Sequence, residues 1–150
     1  MTLFGLLILL HVTAAVCGIG GTFIMPLVIS YPKTVSQALF SIELYRGISK
    51  VAKIGGIVLL LTGVLMGIMN TYLWGEIWFT ASLVLYVLIQ PIFIVMIPRK
   101  LDRQVDALKS AEDERLPSHY LGIAKEMAPW SAIAHTATFL LVILMVWKPF

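Results

Sequence analysis

Long charge-free stretches constrain this chain more than any other feature. Residues 1–32 hold no Asp, Glu, Lys or Arg, and neither do residues 54–75, 77–98 or 127–147. A helix needs roughly 20 mostly apolar residues to cross a hydrocarbon core of about 30 Å. Each stretch reaches that length, and its apolar run is continuous rather than alternating, which argues against barrel strands. Membrane spans are expected near residues 2–29, 51–72, 77–97 and 129–147. The fold class is therefore all-α, an integral membrane four-helix bundle, and residues 1–150 have room for this one domain.

Composition agrees. The chain is 59% hydrophobic and 13% charged, against about 25% charged for a soluble domain. That excludes a soluble α/β enzyme, a disordered chain and a nucleic-acid module. A single cysteine, Cys17, excludes a disulfide framework and any CxxC site. The first span is expected to be retained: it lacks the basic start of a signal peptide and its apolar run is too long.

Basic residues set the orientation. Lys33, Arg46, Lys50 and Lys53 lie between spans one and two; Arg99, Lys100, Arg103, Lys109, Arg115 and Lys125 lie between spans three and four. Only Lys148, of 11 basic residues, falls on the opposite side. The basic side is expected to be cytoplasmic, with both termini outside and the cell membrane as location. Trp74, Trp78 and Trp147 then mark the outer interface and Trp130 the inner one.

Residues 99–116 alternate in charge, with Leu101, Val105 and Leu108 at helical spacing. The third helix should continue into the cytoplasm until Pro117 breaks it, with Ser118 as a cap for the next helix. Its outer face reads as solvated or as a docking surface. Thr34 or Ser36 could start a helix carrying Glu43, Arg46, Lys50 and Lys53 into span two.

Within the spans, small residues mark close helix contacts: Ala14, Gly18 and Gly21 in span one, and Gly56, Gly63 and Gly67 in span two. Ser82, Tyr86 and Gln90 form a polar stripe on span three that should face the bundle interior, and Pro91 should kink that span.

Ionisable residues deep in a membrane are costly and usually functional. His11 lies about 13 Å below the outer face and His135 about 18 Å below it, counting helix rise, so the two are expected at similar depth. Neutral imidazoles ligate haem iron, copper or zinc, and bundles build cofactor sites from side chains on facing helices. One reading is a haem b or porphyrin held by His11, with His135 opposite and Arg46 on a propionate carboxylate. Another is a soft copper site of His11 with Met66, Met69 and Met145. A third is two histidines that each make an interhelical hydrogen bond. No nucleophile–base pair, phosphate loop or paired carboxylate supports hydrolysis or phosphoryl transfer.

Leu10-His11, then Ile19-Gly20-Gly21, Glu43-Leu44-Tyr45-Arg46, a Trp at the start of span three and the ending Lys148-Pro149-Phe150 together resemble a group of small bacterial membrane proteins. The group includes HemJ-type protoporphyrinogen oxidases, the CopD copper-resistance domain and an uncharacterised branch of predicted integral membrane proteins. The resemblance implies a four-helix bundle and, for the HemJ branch, a bound haem or porphyrin, with His11 and Arg46 on matching motif positions. That branch carries a Lys near the start of span three, where this chain reads Trp78-Phe79-Thr80-Ala81. The uncharacterised branch is the nearer likeness.

The expectation is thus a multi-pass membrane protein with an electron-transfer or porphyrin-oxidation role, passing electrons to quinone or a redox partner. The alternatives are copper or small-solute transport, and a structural subunit without ligand. Its surroundings are the lipid bilayer, nucleic acid is excluded as a partner, and a homo-oligomer is expected. The orientation is testable. A cysteine at Thr71 or Gly75 should react with an impermeant thiol reagent applied to intact cells, and one at Ser110 should not; the reverse pattern would invert the topology.

Overall fold

A computed structural model describes residues 2–149. Its helices are α1 (Leu3–Ser30), α2 (Val35–Met69), α3 (Ile77–Pro91), α4 (Ile97–Lys109) and α5 (Ser118–Trp147). A short 3-10 turn, Thr71–Gly75, joins α2 to α3, and one π turn, Ile92–Met96, joins α3 to α4. Four helical rods, counting Ile77–Lys109 as one, are long and apolar enough to cross a membrane.

All four rods outrun the bilayer. At 1.5 Å per residue the 35 residues of α2 reach about 52 Å, well beyond a hydrocarbon core of about 30 Å. The excess gathers at the end carrying most basic residues, the basic end; the other carries both termini, the terminal end. Along the spans, large apolar side chains such as Val16, Ile57 and Leu88 are exposed, as a lipid-facing surface requires. At the basic end water restores the hydrophobic drive, and a core like that of a soluble protein forms. Ile42, Leu101, Leu108 and Ile123 are almost fully buried there.

That core shows what the other side of the amphipathic helix α4 meets, while Asp102, Arg103, Asp106 and Lys109 face outward as expected. The apolar side of α4 is covered by α5 and α2 of the same chain. The helix also stops at Lys109, before Pro117. Residues beyond it fold back to cap α2: the Val35 N–H donates to the Glu114 carbonyl at 3.1 Å, and the Ser36 N–H to the Glu114 carboxylate at 3.1 Å. The Ser36 hydroxyl donates to the same carboxylate, and these hydrogen bonds hold the Glu114 carboxyl below its ordinary pKa. Thr34 is the N-cap of α2, its hydroxyl oxygen accepting from the Gln37 N–H at 3.3 Å. Ser118 is not a cap: Pro117 holds that position, without a side-chain bond.

After Pro91, where a kink is expected, the helix takes a π turn, in which the Ile97 N–H reaches back to the Ile92 carbonyl. Pro91 lacks an N–H, as does Pro98 just beyond the turn, so the regular ladder is interrupted on both sides and a wider turn absorbs the break.

Helices α1 and α2 pack most extensively, and small residues bring them together. A Cβ on Gly55 would lie 2.8 Å from the Gly18 Cα, and one on Gly18 would lie 3.2 Å from the Gly55 carbonyl carbon. Both obstructions are backbone, so neither helix yields by rotating a side chain. Gly55→Ala should therefore destabilise the bundle by about 1–3 kcal/mol. Gly20→Ala, with nothing within 4 Å of its Cβ, should be near neutral. Unfolding titrations in mixed micelles check both.

Candidate functional site

The small-residue contact places His11. Two turns above Gly18 on α1, the imidazole faces Thr62 and Gly63 of α2, with Nδ1 2.8 Å from the Thr62 Oγ1. The Thr62 hydroxyl has one proton, and it goes to the helix behind it, 2.7 Å from the Val58 carbonyl. The Thr62 oxygen therefore accepts, and His11 donates from Nδ1. With the Thr62 proton on its own helix, Nε2 is the unprotonated nitrogen, and it has no side-chain hydrogen-bond partner among the described residues. Gly63 makes room for the ring, since a Cβ there would lie 3.4 Å from its Cε1.

His11 lines a cavity of about 520 Å³ at the terminal end, within the range of about 300–1,000 Å³ usual for ligand pockets. Its walls are mainly apolar and include Gly63, Met66, Trp78, Leu83 and Met145. Two exposed residues of α1, Val12 and Val16, also line it, so it opens sideways toward lipid. Lys148 stands at the cavity as its one cationic residue among those described. It ends α5 in the left-handed conformation, φ 47°, with its Nζ 5.0 Å from the centre of the Trp78 ring, a cation–π contact.

His135 is elsewhere. Its Nε2 lies 2.9 Å from the Thr22 carbonyl of α1, and its Nδ1 lies 2.6 Å from the Ser131 carbonyl of its own helix. Phe23 packs edge-on against the ring, with centroids 5.6 Å apart. Thr22 is about 16 Å along α1 from His11, so the expected match in depth fails. Pairing Thr22 with His135 in antiparallel helices carries the level of His11 to the last turn of α5, where Met145 lines the same cavity. The depth count took α1 and α5 to end together at the membrane face, but α1 continues past the end of α5. His135 bridges α1 and α5 with both nitrogens against backbone carbonyls.

Arg46 also stands apart. Its Nη2 donates to Asp102 at 2.6 Å in an exposed ion pair between α2 and α4, and it lines neither cavity described here. Met66 and Met145 share the cavity of His11, whereas Met69 is exposed and does not line it. The polar stripe of α3 faces inward as expected. Ser82 is fully buried and donates to the Trp78 carbonyl at 2.6 Å, while the Tyr86 hydroxyl donates to the Gly56 carbonyl at 2.8 Å.

These features define a multi-pass membrane bundle with a lateral cavity and one histidine nitrogen free at its wall. The family model of predicted integral membrane proteins designated DUF2269 matches residues 5–149, and the chain belongs to that family. No curated protein and no solved structure matches the chain. Of the residues carrying the resemblance above, Phe150 lies outside the described residues.

Proposed function

We propose that the protein holds a haem or porphyrin in the cavity at the terminal end, with the His11 Nε2 as the ligand to its iron, and that it serves electron transfer within the membrane or oxidation of a porphyrin. The observation carrying this reading is the 2.8 Å contact of the His11 Nδ1 with the Thr62 oxygen: Thr62 accepts a hydrogen bond from the Nδ1–H, which leaves the Nε2 lone pair unused beside an apolar cavity. The residues present fit such a group. The cavity has the volume of a ligand site and apolar walls for a planar ring. Lys148 offers a cation for a carboxylate at the water-facing edge, the role assigned from sequence to Arg46. A bound haem would supply a one-electron centre. The chain itself orients the imidazole through Thr62, excludes water with Trp78 and Leu83, and leaves the side between α1 and α5 open to a lipid-soluble electron acceptor such as quinone.

His135 is not needed as a second ligand, since its nitrogens already face backbone carbonyls. Met66 and Met145 favour a second reading, a soft copper site with His11, because both thioethers line the same cavity.

Purification after expression with added haem and copper tests both. The expected result is a Soret band that His11→Ala abolishes. His135→Ala should leave the band in place and lower the unfolding free energy by about 1 kcal/mol, the scale of an interhelical hydrogen bond in a membrane. Stoichiometric copper without a Soret band would support the second reading. Colourless, metal-free protein would reject both.

A further inference from the structure

A second cavity, of about 190 Å³, lies nearer the basic end, lined by α1, α2, α3, the π turn and α5. Ile19, Tyr86 and Leu141 separate it from the cavity of His11, each lining both. Its polar lining differs in kind from that of the first. Tyr45 is 6% exposed, yet its hydroxyl makes no hydrogen bond among the described residues and is not sealed from the cavity. Ser49 and Lys53 also line it. Lys53 belongs to none of the ion pairs of the described residues, which are Arg46–Asp102, Lys100–Glu126 and Arg103–Glu126. It stands about 10 Å further along α2 than Arg46, toward the membrane interior. Lys53 is exposed, so its long side chain can reach an anionic head group at the membrane interface.

The cavity also has a side exit. Ile57 of α2 and Ile94 of the π turn line it, and both are more than half exposed on the lipid-facing surface. The π turn thus forms one lip of the opening, a use for which such turns recur at binding sites. Tyr45, Ser49 and the exposed Lys53, spaced four residues apart on α2, line one side of the cavity, and an apolar gap leads from there into the bilayer.

We propose that this cavity binds an acyl-chain lipid by its anionic oxygen head. Lys53 is the counter-ion, the Tyr45 and Ser49 hydroxyls donate to the head oxygens, and the chain leaves between Ile57 and Ile94. A fatty-acid carboxylate and a phospholipid phosphate share this chemistry. The small volume favours the carboxylate, whose head is the more compact.

The test uses the full-length protein in phosphatidylcholine nanodiscs with a palmitate probe carrying a photoreactive diazirine. Peptide mapping should place the crosslinks on α2 and the π turn around Ile57 and Ile94, and unlabelled palmitate should compete. Lys53→Gln should lower labelling by about ten-fold, the effect of losing a charged hydrogen bond, while Lys53→Arg keeps it. Tyr45→Phe should lower it less. Lys50→Gln, one turn away and outside the cavity, should leave it unchanged. Competition by phosphatidylglycerol but not by palmitate would assign the site to a phosphate head. Crosslinks spread over the lipid-facing surface without competition, or equal effects of Lys53→Gln and Lys50→Gln, would overturn the proposal. The melting temperature of each variant separates loss of binding from loss of fold.

Discussion

Apolar side chains gain little by leaving lipid for one another, so the contact between α1 and α2 depends on how closely two backbones can approach. Gly18 and Gly55 allow an approach that even one added methyl group would obstruct. The position of His11 follows from that contact. With the helices this close, the imidazole two turns away reaches the Thr62 hydroxyl and fits over Gly63. The same register sets the wall of the cavity beside it. A wider separation would leave His11 without its partner and its proton free to occupy either nitrogen.

The other end of the molecule is held differently. Beyond the bilayer, α4 and the first turns of α5 bury Leu101, Leu108 and Ile123 as a water-soluble domain would. Glu114 then ties the connecting loop to the start of α2. The long rods are thus clamped at the basic end by hydrophobic burial and joined in the membrane by backbone proximity. Gln104 is an exception within the first region, buried with neither amide atom hydrogen-bonded among the described residues. Between the two regions the π turn joins α3 to α4 and places the exposed Ile94 at the wall of the second cavity.

Much of this architecture is legible in the sequence because the bilayer penalises charge so severely. The gaps between charged residues mark all four spans, and the inward stripe of Ser82, Tyr86 and Gln90 is readable for the same reason. Depth is less legible. Counting residues from each helix end placed His11 and His135 together, but the relative slide of α1 and α5 depends on tertiary contacts such as that between His135 and Thr22. The sequence does not distinguish Gly55 from Gly56, since adjacent glycines point in different directions and only the packed pair reveals which one meets the Gly18 backbone most closely. The apolar face of α4 was visible as Leu101, Val105 and Leu108, but periodicity does not say whether a face is covered by its own chain. The free nitrogen of His11 was not readable either, because it depends on a hydroxyl 51 residues away that already donates to its own helix.

The protonation of one imidazole tests this account most directly. Nitrogen-15 solid-state spectra of histidine-labelled protein in bilayers, assigned by difference with His11→Gln, distinguish the two tautomers. The account predicts a proton on the His11 Nδ1 and an Nε2 that is unprotonated or metal-bound, with the preference lost in Thr62→Val. A proton on Nε2 in the unaltered protein would contradict it, since no lone pair would then face the cavity.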